Sequence, residues 1–291
     1  MSEEKKQPVT PRLAATVLML RDGPNGMEVF MVKRHHEIDF ATGALVFPGG
    51  SADPGDCSAA VRARCDGAEQ YDDEELRFRV ACVREAFEET GLLLCRRPDA
   101  DHVLEADECE ALYHYRDKLE SNALDFGQFL EAEDLICVAN RLAHFAHWIT
   151  PAGMPKRFDT HFFCARAPER QLAKHDGSEN VDSVWITPSD ACAAADRGEY
   201  TIIFPTRVNI EKLDRMGKDV ATAMAAIEQD KVVTVLPQVT KIDGGRIMRI
   251  PAEAGYGFSE VSITGKPGTQ GKIQVIERNG QQFGLAAQLK D

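Results

Sequence analysis

The sequence predicts an α/β protein, with strand-like and helical stretches interspersed along the chain. Two observations carry this. Apolar, strand-like runs recur at well-separated places: LAATVLML (13–20), MEVFMVKR (27–34), RFDTHFFCAR (157–166) and VDSVWITP (181–188). Between them, from Asp72 to Thr90, the apolar residues repeat at helical spacing instead. At 291 residues with 43% hydrophobic content, the chain has enough material for a proper core.

Taken in order, a polar tail over 1–11 is expected to be disordered. LAATVLML then reads as a buried strand, GPNG (23–26) as a turn and MEVFMVKR as a second strand, which makes a hairpin over 13–34. A loop leads to the short apolar stretch ALVF (44–47), which stops at Pro48, Gly49 and Gly50, an ending suited to a backbone that must approach something closely. In the helix that follows, Leu76, Val80, Val83 and Phe87 fall on one side and Glu85, Glu88 and Glu89 on the other. Gly91 sits where a C-terminal cap belongs, and LLLC (92–95) reads as another strand. Residues 96–147 read as a mainly helical inserted cap, with His144 and His147 sharing a helix face. Helices begin after Pro188 and after Pro205. From 231 to 291, short Val- and Ile-rich runs separated by DGG, KPG and RNG turns predict a strand-rich extension, packed on the main domain (12–230) or on a second subunit.

Composition narrows the function. No apolar run approaches the ~20 residues that a bilayer span needs, and the N-terminus has no signal-peptide core, so a cytoplasmic protein without a membrane partner is expected. Eight cysteines without a CxxC pair read as reduced thiols. The eight histidines show no paired ligand spacing and read as packing or surface residues. A formal net charge of -13 argues against a sequence-independent grip on nucleic acid. The same charge would repel an anionic substrate unless a divalent cation lay between them.

The stretch REAFEETG (84–91) supplies a place for such a cation. Glu85, Glu88 and Glu89 stand at i, i+3 and i+4, where like charges destabilise a helix unless neutralised. Mg²⁺ or Mn²⁺ would neutralise them through the oxygen ligands that hard cations prefer. Arg84 is placed to hold one carboxylate through its planar fork.

Residues 84–92 resemble the second half of the Nudix box, G-x5-E-x7-R-E-U-x-E-E-x-G-U, at every specified position. The resemblance implies the Nudix α/β/α sandwich, a mixed β-sheet between helices, and hydrolysis of a diphosphate joined to another group. Gly50 would open the box, but the acid six residues on is Asp56 and not glutamate. Residues 57–83 then separate Asp56 from Arg84 where the box has only seven residues, an insertion of about twenty. A box split in this way is similar to that of the peroxisomal coenzyme A diphosphatases of animals. The resemblance implies metal ligation by Glu85, Glu88, Glu89 and the Gly50 carbonyl, with Arg84 orienting the carboxylates. A further acid from the loop before the Trp185 strand is implied at Glu179, with Asp182 as rival, and the proton acceptor is left open among Glu85, Glu88 and Glu179. Family habit also allows a homodimer.

The partner expected is a small-molecule nucleoside diphosphate derivative. Gly43, Phe47, Pro48, Gly49 and Gly50 match the second half of R-x3-G-x3-F-P-G-G, found in coenzyme A hydrolases of this superfamily, although Asp39 stands where the arginine belongs. Lys33, Arg34, Lys156 and Arg157 are the cations available for a 3′-phosphate. Coenzyme A or an acyl derivative leads, followed by ADP-ribose, dinucleotides and nucleotide sugars. A nucleotide-binding module that does not cleave is the alternative of a different class, and it rests on the missing glutamate at 56.

Overall fold

The structure is a computed structural model that describes residues 9–34, 44–168, 171, 180–243, 245–264, 274–278 and 281–285. The hairpin is formed by β1 (Arg12–Gly23) and β2 (Gly26–Arg34), paired antiparallel with Gly23 opposite Gly26. Next come β3 (Leu45–Val46), β4 (Gly49–Ser51), α1 (Ala59–Ala63), α2 (Asp73–Thr90) and β5 (Cys95–Arg96). A helical stretch contains α3 (Ala106–Leu112), α4 (Arg116–Glu120) and α5 (Phe126–Ala132), and is followed by β6 (Ile136–Cys137). Then follow β7 (Ala143–Ile149), β8 (Phe158–Arg166), β9 (Asn180–Ile186), α6 (Pro188–Asp196), α7 (Phe204–Met216), α8 (Val220–Gln229) and β10 (Thr234–Val235). Among the described residues, five antiparallel strands follow: β11 (Gln238–Ile242), β12 (Gly245–Arg249), β13 (Glu260–Thr264), β14 (Gln274–Arg278) and β15 (Gln281–Leu285).

Among the described residues, the main sheet has eight strands and runs β10-β7-β8-β1-β2-β3, with β4 also on β1 and β9 also on β2. It is mixed: β1 runs parallel to β8 and antiparallel to β2 and β4. Side chains alternate across each strand, and that alternation builds two cores. Ala15, Val17, Met19, Phe30, Val32, Phe163 and Ala165 pack with Leu76, Val80, Val83 and Phe87 of α2 on one face. Leu18, Leu20, Met27, Val29, Met31, Phe162 and Cys164 pack with α6, α7 and α8 on the other. The α/β/α sandwich is therefore a consequence of strands that are apolar on both faces.

Three expectations need correction. LLLC is not a strand: only Cys95 pairs, with Cys137, because the Gln171 side chain takes both the N–H and the carbonyl of Leu93 that a strand ladder would use. His144 and His147 lie on strand β7 and not on a helix. The helical segment does not stand apart as a cap, since Leu112, Leu119, Phe126, Phe129 and Leu130 belong to the same core as α2, and Phe129 stacks on Phe87 at 5.6 Å. The strand-rich extension docks on the main body: Met248, Ile250, Tyr256, Val261 and Ile263 enter the core that holds α7 and α8. Tyr256 is the polar pin there, accepting from Trp148 Nε1 at 2.6 Å and donating to Asn209 Oδ1 at 2.7 Å. Among the described residues, no helix is long and apolar enough to cross a membrane.

Candidate active site

The carboxylate-bearing helix is fixed at both ends by its own sequence. Asp72 caps the start of α2, accepting from the Glu75 N–H at 2.8 Å, and Asp73, Glu74 and Glu75 place negative charge in the first turn, where the helix dipole favours it. Gly91 ends it in the left-handed conformation, φ 74°, and donates its N–H to the Phe87 carbonyl at 2.9 Å. Residues 73–83 form about three turns at the front of this helix. Much of the stretch between Asp56 and Arg84 is therefore helix, and the split does not pull the two halves of the box apart.

Arg84 is the hub. Its Nε and Nη2 form a fork on Asp56 Oδ1 and Oδ2 at 2.9 and 3.1 Å, and Nη2 also donates to the Ser51 carbonyl at 2.7 Å. Its Nη1 turns the other way, to Glu85 Oε1 at 3.0 Å and to Glu88 Oε2 at 3.0 Å. Asp56 is nearly sealed from solvent and also accepts from the Asp53 N–H at 2.8 Å. Burial pushes the Asp56 carboxyl up, and Arg84 opposes that shift. Burial would weaken the guanidinium's hold on its proton, but Asp56, Glu85 and Glu88 outweigh it and raise the Arg84 pKa. Glu88 is pushed up to about 8, first by burial, with Arg84 lowering and Glu85 raising it.

The glycines bring backbone against the helix. Glu89 Oε2 accepts from the Gly49 N–H at 3.1 Å. A Cβ on Gly50 would overlap the Glu85 carboxylate, and a Cβ on Gly49, whose φ is 156°, would strike the Ala15 carbonyl oxygen. β4 thus lies directly under Glu85 and Glu89, held in register by pairing with Ala14, Ala15 and Thr16 of β1.

The structure brings Gly50, Arg84, Glu85, Glu88 and Glu89 together, and it adds Asp56. Glu179 lies outside the described residues, as do Asp39, Gly43 and the side chain of Arg34. Asp182 is exposed and accepts from the Ser183 N–H, with Lys33 opposite it in the β2–β9 register. Arg157 donates to the Thr150 and Val9 carbonyls, so it ties the chain start to the β7–β8 loop. Sequence reasoning missed Arg116, whose Nε and Nη2 donate to the Glu88 carbonyl at 3.0 and 2.8 Å and satisfy the last turn of α2. No spacing rule links a residue 28 positions downstream to that carbonyl.

Three carboxylates, Asp56, Glu85 and Glu88, meet one guanidinium, Glu89 stands beside them on the Gly49 N–H, and every one of these donors is a hard oxygen. That set fits a divalent cation of the Mg²⁺ or Mn²⁺ kind.

A mixed sheet between two helical layers, with a glycine strand facing an acidic helix, is the architecture of Nudix proteins. A family profile described as the NUDT19 Nudix domain matches residues 62–213, more than half of the chain, and the protein belongs to that Nudix hydrolase family. Among its relatives is the acyl-coenzyme A diphosphatase NUDT19 of Xenopus laevis, 27% identical over 205 residues, covering 56% of this chain and 53% of the relative. The human protein of that name is 25% identical over 220 residues, covering 72% and 59%. The chain thus spans little more than half the length of the curated relatives it matches. A Nudix hydrolase crystal structure from Alicyclobacillus acidocaldarius superimposes with a TM-score of 0.63 at 28% identity, covering 75% of this chain and 96% of that one.

Proposed function

We propose that the protein hydrolyses the diphosphate bond of a nucleoside diphosphate-linked small molecule in a divalent-metal-dependent reaction, with coenzyme A or acyl-coenzyme A as the substrate. The observation that carries this reading is the convergence of Glu85, Glu88 and Glu89 with the Arg84–Asp56 fork beneath Gly49 and Gly50. The activity for which these relatives are named, acyl-coenzyme A diphosphatase, supports the choice of substrate.

Glu85, Glu89 and the Gly50 carbonyl are the groups that would hold Mg²⁺ or Mn²⁺, with Glu88 beside them and Glu179 as the acid proposed from the loop before β9. Such a cation, when bound, neutralises the diphosphate and acidifies a water. Arg84 fixes the directions of Glu85 and Glu88, so the two carboxylates do not have to be organised when substrate arrives. A glutamate of this set, Glu85, Glu88 or Glu179, takes the proton of the attacking water, a role worth about 10² to 10⁴ in rate. Asp56 stands where the box has glutamate, and it still holds Arg84 from the far side, so the substitution leaves the anchor of Glu85 and Glu88 in place.

The test is a substrate panel containing coenzyme A, an acyl-coenzyme A, ADP-ribose and NADH, each with Mg²⁺ and with Mn²⁺. Coenzyme A is expected to give 3′,5′-ADP and phosphopantetheine. Faster cleavage of ADP-ribose or NADH would replace the substrate, and no cleavage of any member would replace the enzyme by a binding module.

A further inference from the structure

A second group of side chains lies away from the box, on the α2 face of the sheet. β7 pairs antiparallel with β8, and a register shift between His144 and Ala146 makes β7 bulge. In a regular strand His144 and His147 would point to opposite faces. The extra residue turns them to the same one, while Phe145, Ala146 and Trp148 enter the opposite core. His147 sits across from His161, and Asp159, two residues earlier on β8, shares its face. One possible ligand atom from each of His147, Asp159 and His161 lies within 4.8 Å of the others.

The outer ring nitrogens are already occupied. His147 Nδ1 is 2.9 Å from Thr234 Oγ1 on β10, while Nε2 is 2.5 Å from Asp159 Oδ1. His161 Nδ1 is 3.1 Å from His144 Nε2. In imidazole metal sites the nitrogen away from the ion is held in just this way by a hydroxyl, carboxylate or second polar group. Asp159 and His147 are partly open to solvent, and His144 lines an open depression of about 450 Å³ together with Arg79, Asn140, Glu228 and Asp230. An ion therefore has a way in.

We propose that His147, Asp159 and His161 form a binding site for a borderline divalent cation, Zn²⁺ foremost, separate from the carboxylate box. Two imidazoles and one carboxylate select zinc-like ions over Mg²⁺, and three protein ligands leave a fourth position for water. The cation takes the place of the proton between His147 Nε2 and Asp159 Oδ1. The rings of His147 and His161 stack at 3.9 Å with 24° between their planes, so coordination requires them to open until the nitrogens converge. Phe78 of α2 stacks on the His161 ring, also at 3.9 Å. The site therefore touches the helix that carries Glu85, about 10 Å further along its axis.

The experiment uses the full chain, stripped with chelator and titrated with Co²⁺ and then Zn²⁺ in excess Mg²⁺, read by visible cobalt absorption and by equilibrium dialysis. One equivalent is expected in the wild type and in Glu89→Gln, with at least tenfold weaker binding in Asp159→Asn and His147→Gln. No bound equivalent in the wild type, or binding lost in Glu89→Gln but kept in Asp159→Asn, would overturn the site. Should either ligand variant fail to fold, Thr234→Val gives the same reading: weaker affinity supports the site, and unchanged affinity counts against it.

Discussion

Asp56 and Arg84 meet through two hydrogen bonds of 2.9 and 3.1 Å although 27 residues separate them. Both are buried, so neither can be exchanged for water. Removing the carboxylate with Asp56→Ala leaves the buried Arg84 Nε without its acceptor and takes one acceptor from Nη2, and the loss expected for a broken buried pair is about 3–5 kcal/mol. Thermal or denaturant unfolding should show this loss, with turnover falling too because Arg84 no longer fixes Glu85 and Glu88.

Glu89→Gln should separate activity from folding. A glutamine carbonyl can still accept from the Gly49 N–H, so the unfolding midpoint should stay near that of wild type. Turnover of the preferred diphosphate should fall by roughly 10² or more, since a charged oxygen donor is lost. Near-wild-type turnover at saturating Mn²⁺ would remove Glu89 from the metal-binding set.

Gly50→Ala tests the close approach of β4 to the helix. The added Cβ lands on the Glu85 carboxylate, a flexible group that can swing aside. The expected result is a small change in stability with a large drop in kcat, up to about 10²-fold for a displacement of roughly 1 Å. Gly49→Ala should behave in the opposite sense, because its Cβ meets the rigid Ala15 carbonyl and its φ of 156° disfavours a side chain. Melting curves and kcat of the two variants, measured together, distinguish these cases.

Glu88 gives a pH prediction. Its folded-state pKa is raised to about 8 from an ordinary value of 4.5, so the folded protein holds a proton that the unfolded chain releases between these values. Its contribution to stability is then complete below 4.5 and is lost as the pH rises through about 8. His144 and His161 act in the other sense: burial lowers them to about 4 and about 3, so their contribution is complete above 6.5 and is lost as the pH falls through these values. In metal-free protein, the wild type should lose stability relative to Glu88→Gln as the pH rises from 5 to 9. Mg²⁺ or Mn²⁺ should reverse that loss by favouring the ionised carboxylate.

What the sequence by itself determined was local. The helical period from Leu76 to Phe87, the Asp72 and Gly91 caps and the box residues are all written in short-range spacing, because a helix brings i, i+3 and i+4 together whatever else the chain does. The hairpin over β1 and β2 was legible for the same reason, from a turn between two apolar runs. Contacts between distant segments were decided only by tertiary structure. Asp56 looked like a departure from the family pattern, but the fold makes it the partner of Arg84, since the inserted residues return the chain to the same helix. Arg116 reaches the Glu88 carbonyl because Leu112 and Leu119 pack in the same core as α2. His144 and His147 share a face through a strand bulge, and a one-residue irregularity of that kind reverses every side-chain direction while leaving no mark on composition or spacing.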